Sequence, residues 1–322
     1  MNKQRTVEMF KLVIKSRPLM VFLINIILVI IFSFMNKHFL TVVNFRAIGF
    51  GMLSVGIVSI GMMVVMVTGA FDLSVGSTVA LTGIVAAKLM ESGTPIVLSV
   101  LVALALGALI GCFNGLLVTG IGINPFIATL GTMSMVRGLA LAVTQGMPVY
   151  GLPKPFAWLG EGTILNFPFA ILLLIFLVII FDQFLRTTVR GRLFYYTGGN
   201  EEAARLSGIN TKGVRTEAFI IIGFLAALAG VLMASRMMSM AATSGTGLEL
   251  KAIAACIIGG AALAGGEGTI IGAFLGTLLV AFIDDILILS GVSAYWQQFS
   301  AGAILVAVVT FNIFIRRIPK GK

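Results

Sequence analysis

The charged segment 197–212, TGGNEEAARLSGINTK, is the first place in the chain where residue types and spacing could do chemistry. Asn200 is a good helix N-cap, and the acidic pair Glu201 and Glu202 suits the first turn of a helix, where backbone N–H groups lack partners. Gly208 is placed to end that helix. The segment therefore predicts a helix of about two turns that is held outside the lipid.

This short helix would offer polar contacts to another protein through Glu201, Glu202 and Arg205. Gly198 and Gly199 would free the backbone before the helix, because glycine adopts conformations that other residues avoid. The alternative is a solvated amphipathic loop without a partner. Neither interpretation involves catalysis.

A second candidate is Asp72, which stands between two apolar stretches in the sequence FDLS. A carboxylate in the middle of a bilayer costs about 2.5–3.5 kcal/mol on insertion scales, and less at a break between two spans. Asp72 or Ser74 could accept hydrogen bonds from the first backbone N–H groups of the next helix, or could line a pathway or gate. Glu249, at the start of a later apolar stretch, has the same two alternatives.

No sequence motif supports catalysis by this chain. The GxxxxGK[ST] loop that cradles nucleotide phosphates is absent, so we expect ATP and Mg²⁺ to be bound by a separate chain. His38 is the only histidine, which argues against histidine-based metal sites and acid–base chemistry. Cys112 and Cys256 both lie inside apolar stretches and suggest no disulfide framework. We expect no cofactor and no metal in this chain.

The composition places most of the chain in a membrane. Of 322 residues, 59% are hydrophobic and 11% are charged, whereas soluble domains carry about 25% charged residues. A backbone in lipid must satisfy its own hydrogen bonds, which leaves helices or closed barrels. Because runs such as 171–181 are apolar on every face, we expect an all-α membrane protein. The net charge of +10 does not indicate nucleic-acid binding, since the basic residues gather at the termini and around 197–212.

The apolar stretches predict about ten transmembrane helices. Because this count is even, both ends of the chain would lie on one side of the membrane. Basic residues concentrate on the side that holds the N-terminus, the loop around 197–212 and the C-terminal tail, so the positive-inside rule places both termini in the cytoplasm. The predicted spans are 19–35, 45–68, 73–91, 96–119, 125–145, 167–185, 213–236, 248–264, 268–289 and 296–315.

These spans divide the chain into a cytoplasmic N-terminal segment (1–18), a transmembrane domain (19–315) with a cytoplasmic loop (186–212), and a cytoplasmic tail (316–322). A cleaved signal peptide is the competing interpretation of the first apolar stretch. No small-residue cleavage site follows it, which favours a retained helix. The longest outer loop, 146–168, could be a docking surface or an ordinary ordered loop.

The chain also contains a weak internal repeat. GALIGCFNGLLV (107–118) aligns with GTIIGAFLGTLLV (268–280), and both carry glycines at four-residue spacing, which let helices approach closely. Upstream, FDLSVGS (71–77) can be set against LELKAIA (248–254), which pairs Asp72 with Glu249. The repeat spans five predicted helices, and because this number is odd the second copy would be inverted. Two five-helix inverted repeats place a pathway at their interface.

Five longer blocks match a known family in order and spacing, and the chain resembles the permease subunits of ATP-binding-cassette importers for ribose, galactose and similar sugars. The resemblance covers nearly the whole chain and is more specific for the family than for the substrate. It implies a ten-helix permease of the bacterial cytoplasmic membrane. The matching blocks are GAFDLSVGSTVALTG (69–83), NPFIATLGTMSMVRGLA (124–140), GGNEEAARLSGI (198–209), GTGLELKAIAACIIGGAALAGGEGTIIGAFLG (245–276) and GVSAYWQQ (291–298).

The resemblance also implies three protein partners. The permease would pair with a second permease subunit, either itself or a homologue, bind a twin-cassette ATPase in the cytoplasm, and receive an external sugar-binding protein. Segment 199–208 matches the coupling loop of the family, on which the ATPase acts. The coupling role then carries over to Asn200, Glu201, Glu202, Ala203, Ala204, Arg205 and Gly208.

Two positions depart from the usual sequence of such permeases. Lys251 stands where they usually carry an acidic residue, and Asp284 and Asp285 stand where they often carry two asparagines. The opposite changes predict a salt bridge between Lys251 and one of the two aspartates. The alternatives are that the carboxylates line an outer vestibule, or that the charged groups extend to the membrane interface.

A sugar in transit needs hydroxyl and amide partners and aromatic faces. The pathway candidates are Asp72, Ser74, Asn114, Asn124, Glu249, Asp284, Asp285, Trp296 and Gln297. Further polar or aromatic residues in or beside the spans are Thr129, Gln145, Tyr295 and Gln298. Hydrogen bonds between helices would also explain the presence of these residues.

The predicted function is therefore a permease subunit for a ribose-like or galactose-like sugar. The alternatives are a permease of the same family for nucleosides or a signalling sugar, and an ion-coupled secondary transporter. The last would need a relay of buried carboxylates. Asp284 and Asp285 are adjacent, so they would face different sides of a helix and form no such relay.

Overall fold

The computed structural model describes residues 17–293, 295–297, 299–300, 302–303, 306–307 and 310. Nearly all of the predicted N-terminal segment 1–18 lies outside the described residues, as do the tail 316–322 and Gln298. Only separate residues of the tenth predicted span, 296–315, are described, so its helix bounds are outside this description as well.

The described chain is helical almost throughout, with one small antiparallel hairpin of strands β1 (Thr163–Ile164) and β2 (Phe167–Pro168). A π turn (Leu117–Ile121) continues the helix Ile96–Leu116, and a 3₁₀ turn (Lys154–Ala157) precedes the short helix Trp158–Glu161. The α-helices are α1 (Arg17–Met35), α2 (Val42–Gly51), α3 (Leu53–Val67), α4 (Val75–Glu91), α5 (Ile96–Leu116), α6 (Pro125–Thr144), α7 (Trp158–Glu161), α8 (Phe169–Thr187), α9 (Val189–Gly199), α10 (Glu201–Leu206), α11 (Thr211–Met237), α12 (Leu248–Ile258) and α13 (Ile270–Leu289).

Six helices of the described chain are long and apolar enough to cross a membrane: α1, α5 with its π turn, α6, α8, α11 and α13. A seventh span arises if α2 and α3, which bend by 44° at Met52, are counted together. The protein is therefore an all-α membrane protein with six or seven such spans in its described part. The predicted spans 73–91 and 248–264 contain shorter helices, α4 with 17 residues and α12 with 11.

The core is built around α11, which packs against α3, α4 and α5. Glycines make the closest of these contacts possible. A Cβ atom at Gly111 of α5 would overlap the carbonyl oxygen of Phe219, and one at Gly115 would lie 2.8 Å from the Thr216 side chain. The four-residue glycine spacing of 107–118 therefore serves close packing of α5 on α11.

The second glycine series packs α13 on α12. A Cβ atom at Gly272 would overlap the Gly259 carbonyl, and one at Gly276 would overlap the Ala255 carbonyl. Gly268, which the sequence comparison placed in the same series, precedes α13 and has a φ of +154°. It faces the Met63 sulfur, so only two of the three aligned glycines share the helix contact.

A break of ten residues, 238–247, separates α11 from α12. Met238 has a left-handed φ of +47°, and Met240 exchanges two backbone hydrogen bonds with Val149. The break then passes between helices, and Gly245 lies against Gly76 near the start of α4. Irregular backbone of this kind is tolerated in a membrane protein only where other protein groups or a cavity satisfy it.

Candidate functional site

Helix α10 forms as the sequence predicts. The Asn200 side chain accepts a hydrogen bond from the Ala203 backbone N–H (2.9 Å), and Gly208, with a φ of +84°, follows the last turn. Ala204 is buried against the rest of the protein, whereas its neighbours are exposed. The exposed residues are Glu201, Glu202, Ala203, Arg205, Leu206, Ser207 and Gly208.

Arg215, in the second turn of α11, holds Glu201 in place. Its Nη2 lies 2.8 Å from Glu201 Oε2 and its Nη1 3.3 Å from Oε1, a two-point contact that fixes orientation as well as distance. The same Nη2 donates to the Thr68 carbonyl oxygen (3.3 Å) at the end of α3. Glu202 and Arg205 have no ion-pair partner within the described residues, so their charges remain available to another chain.

Gly198 and Gly199 have a different role from the one the sequence predicts. They form the last turn of α9 rather than a flexible segment before α10. A Cβ atom at Gly198 would overlap the Val67 carbonyl, and Gly199 lies against Gly266 in the α12–α13 turn. The two glycines are therefore needed because the end of α9 packs directly against the backbone at the end of α3 and in the α12–α13 turn.

Further polar contacts join α9 to the spanning helix α11 and to the turn before α13. Arg190 Nη2 lies 2.7 Å from Glu217 Oε2 of α11, and Tyr195 donates through its hydroxyl to the Gly268 carbonyl (2.9 Å). Burial, and then the nearby Asp182 carboxylate, raise the pKa of Tyr195. Its hydroxyl therefore stays a neutral donor at physiological pH.

Asp72, Ser74 and Asn114, three of the predicted pathway residues, form one buried network. Asp72 Oδ1 accepts from the Ser74 backbone N–H (2.7 Å) and from the Ser74 hydroxyl (2.6 Å). Asn114 Nδ2 donates to Asp72 Oδ2 (3.1 Å) and to Ser74 Oγ (2.9 Å). The predicted backbone contact is therefore made by Asp72, and the carboxylate ties the turn before α4 to α5.

Glu249 lies in the first turn of α12. Its Oε1 accepts from the Gly247 backbone N–H (3.2 Å), and its Oε2 occupies the space that a side chain at Gly76 would need. The two predicted equivalents, Asp72 and Glu249, thus both stabilise the turn before a short helix. Both short helices follow breaks in the backbone.

The predicted salt bridge at Lys251 is present, and its partner is Asp284. Lys251 Nζ lies 2.5 Å from Asp284 Oδ2, and the two side chains are about a quarter exposed, at 27% and 22%. Asp285 is engaged separately, because its Oδ2 accepts from Asn44 Nδ2 (2.8 Å) of α2. The two adjacent carboxylates therefore hold two different helices against α13.

Among the remaining pathway candidates, Gln297 lines one cavity together with Asp284 and Asp285. Asn124 is the N-cap of α6, where its side chain accepts from the Phe126 N–H (2.9 Å). Gln297 donates to the Val292 carbonyl (3.2 Å), and Trp296 is exposed and stacks edge-on to Phe299. These contacts are local, so helix capping and chain-end packing explain them.

Two arginines with structural importance were missed at the sequence level. Arg215 was grouped only with the basic residues of the cytoplasmic side. It lies in the second turn of α11, the helix that follows the acidic α10 in the chain. Arg137 is a charge inside the predicted span 125–145, which is itself a functional signal. It donates through Nη1 to the carbonyls of Ala242 and Ser244, so it satisfies the irregular backbone of the break 238–247.

Comparison with models of known families identifies a transport family. Residues 45–309 match a family model described as "Branched-chain amino acid transport system / permease component". No solved structure matches the chain.

Several characterised relatives are similar over most of the chain. An autoinducer 2 import system permease protein, LsrC, of Enterobacter sp. (strain 638) is 40% identical over 310 residues, which cover 95% of this chain and 90% of the relative. The ribose import permease protein RbsC of Haemophilus influenzae is 37% identical over 97% of both chains. LsrC of Escherichia coli (strain K12 / DH10B) is 36% identical over 94% of this chain and 89% of its own.

Proposed function

The chain belongs to the permease family of the branched-chain amino acid transport type, and we propose that it carries a sugar inward when a separate ATPase acts on α10. It is a multi-pass protein of the bacterial inner membrane and a permease subunit of a sugar importer of the ribose and autoinducer 2 type. The observation that supports the ATPase role is the geometry of α10, a capped and exposed helix that Arg215 fastens to the membrane helices.

The coupling surface of this proposal is formed by Asn200, Glu201, Glu202, Ala203, Ala204, Arg205 and Gly208. ATP and Mg²⁺ are bound by the twin-cassette partner, and this chain hydrolyses nothing. Glu202 and Arg205 make the polar contacts to the ATPase, because Glu201 is already held by Arg215. Ala204 packs α10 against the rest of the protein, since it is the buried residue of that helix.

The proposed membrane topology has ten spans, two inverted five-helix repeats and cytoplasmic termini. The short helices α4 and α12 are then the third and eighth spans, the equivalent members of the two repeats. Two features support this pairing. Each short helix follows a backbone break, and an acidic residue, Asp72 or Glu249, accepts a backbone hydrogen bond in the turn at its start.

The proposed cargo is a ribose-like or galactose-like sugar. The name of the H. influenzae relative gives ribose as its cargo. A second candidate is autoinducer 2, because two of the relatives described above carry that name. An ion-coupled secondary transporter is disfavoured, since Asp284 is paired with Lys251 and Asp285 with Asn44 rather than with each other.

The test is uptake by the complete complex in proteoliposomes, with the permease, its twin-cassette ATPase and its binding protein. We expect uptake of labelled ribose, galactose or autoinducer 2 that requires ATP on the α10 side and stops with a non-hydrolysable analogue. Uptake that ignores ATP and follows a proton or sodium gradient would contradict the proposal. Loading the binding protein with one cargo at a time identifies which one is transported.

A further inference from the structure

The connection between α3 and α4, residues 68–74, contacts the start of α6 and also Arg215 of α11, which in turn holds the coupling helix α10. Thr68 and Asp72 within it are almost fully buried, at 0% and 1% exposed. The connection lies at the end of the bundle that holds α9 and α10, because the adjoining Val67 carbonyl accepts from Gly266 (2.8 Å) and faces Gly198. A displacement of α9 and α10 would therefore act on this connection.

Its first contact leads to α10. A single nitrogen, Arg215 Nη2, donates both to Glu201 of α10 (2.8 Å) and to the Thr68 carbonyl (3.3 Å). The Arg215 side chain is only 17% exposed, so water screens this bridge weakly. A movement of Glu201 along the membrane normal therefore breaks the two-point contact, breaks the hydrogen bond between Arg215 and Thr68, or moves the Thr68 carbonyl with it.

Its second contact leads to α6. The Phe71 ring meets the Phe126 ring edge to face, with centroids 6.3 Å apart and planes at 77°. Phe126 is the second residue of α6, and α6 carries a row of exposed large apolar side chains on its outer face. Nothing lies within 4 Å of a Cβ atom built at Gly131 or Gly138 on that helix. α6 is therefore one of the long helices with a face free of contacts to the rest of the described protein.

Its third contact gives the connection stiffness. Asp72 accepts from Ser74 and from Asn114 of α5, so the carboxyl end of the connection cannot bend without breaking buried hydrogen bonds. A stiff segment held at Thr68 and Asp72 and carrying an aromatic side chain between them will pass a displacement to that side chain.

We propose that the 68–74 connection transmits the movement of α10 to the start of α6, with Arg215 and Phe71 as its positioning residues. This inference rests on the proposed ATP-driven function and deepens it. Contiguous packed groups with few alternative arrangements are the physical means by which distant sites are coupled. The route runs Glu201, Arg215, Thr68, Phe71 and Phe126.

The test compares Phe71→Ala with a matched aromatic control in the reconstituted complex. Phe181 of α8 also meets a ring, Phe184, edge to face at 6.3 Å and 76°, but it lies outside the route. The quantity measured is the number of cargo molecules taken up per ATP hydrolysed. We expect Phe71→Ala to lower this ratio about two- to tenfold, the range for losing one aromatic pair, with the ATPase rate retained.

Phe126→Ala should lower the ratio by a similar factor, and the double variant should be no worse than either single variant, because both remove one contact. Phe181→Ala should leave the ratio unchanged. An unchanged ratio in Phe71→Ala, or an equal loss in Phe181→Ala, would overturn the inference. If Phe71→Ala does not assemble, Phe71→Leu keeps the apolar volume and is measured instead. Absence of ATP-dependent uptake in the wild-type complex would refute the proposed function, and the route with it, whereas ATP-dependent uptake whose ratio Phe71→Ala leaves unchanged would refute the route alone.

Discussion

Arg215 of α11 donates hydrogen bonds to both carboxylate oxygens of Glu201 in α10, at 2.8 Å and 3.3 Å. Glu201 is about half exposed whereas Arg215 is largely buried, so the contact joins a surface helix to the interior. A partner that moves α10 therefore acts on α11 through a directional contact and not only through packing.

This contact predicts a charge-reversal result. Glu201→Arg and Arg215→Glu should each reduce ATP-driven uptake about five- to tenfold, because each places like charges together at a coupling contact. The combined Glu201→Arg, Arg215→Glu variant should recover part of the uptake, measured per assembled complex, because it restores the ion pair but not the hydrogen bond to the Thr68 carbonyl. The matched control is the neighbouring Arg190 and Glu217 pair, which bridges α9 and α11 without touching α10.

Reversing Arg190 and Glu217 should change uptake little, since this pair is exposed and contributes about 0–1 kcal/mol. If the combined Glu201 and Arg215 variant recovers nothing, or if the control pair proves equally sensitive, then the ion pair is not the coupling contact.

A second prediction concerns Lys251 and Asp284. A double-mutant cycle with alanine at each position should give an interaction energy of about 0.5–3 kcal/mol, measured by thermal or denaturant unfolding of the purified permease. The control is Asp285, whose partner is Asn44. Lys251→Ala and Asp285→Ala should be additive, and an interaction energy there equal to that of the Asp284 cycle would argue against the pairing.

A third prediction separates two kinds of glycine. Gly111→Ala should destabilise the permease by about 1–3 kcal/mol, because the new Cβ atom meets the Phe219 carbonyl in a packed core. Gly138→Ala is the matched control, since it lies in a helix of similar length with open space around it. Unfolding midpoints of the isolated subunit give both values. Equal losses would mean that close helix packing is not what Gly111 provides.

The sequence predicted the local features well, because each depends on neighbours along the chain. The Asn200 cap, the exposed α10 and the terminating Gly208 follow from hydrogen-bonding rules that act over a few residues. The Lys251 salt bridge was predicted from opposite charge changes, but the choice between Asp284 and Asp285 depends on which side of α13 faces α12. Only the folded helix decides that.

Features that depend on long-range contacts were not predictable from the pattern of apolar residues. The break 238–247 reads as an ordinary loop, and only the folded structure shows that Arg137 donates to its carbonyls and that Gly245 lies against Gly76. The role of Gly198 was also misread, because the Val67 carbonyl that leaves no room for a side chain lies 131 positions earlier in the sequence. Hydropathy reports which residues avoid water, not which backbones touch.

The most direct test of the central claim is cysteine labelling at Ala203, on the exposed side of α10 and outside the Glu201 contact. Ala203→Cys is made in a chain with Cys112 and Cys256 replaced, and Leu165→Cys, 88% exposed on the β1–β2 turn, is the control. We expect an impermeant maleimide to label Ala203→Cys only in inverted vesicles, with protection by the ATPase, and Leu165→Cys only in intact spheroplasts. Labelling of Ala203→Cys from outside, or labelling that the ATPase does not block, would contradict the claim that this helix is where ATP hydrolysis acts.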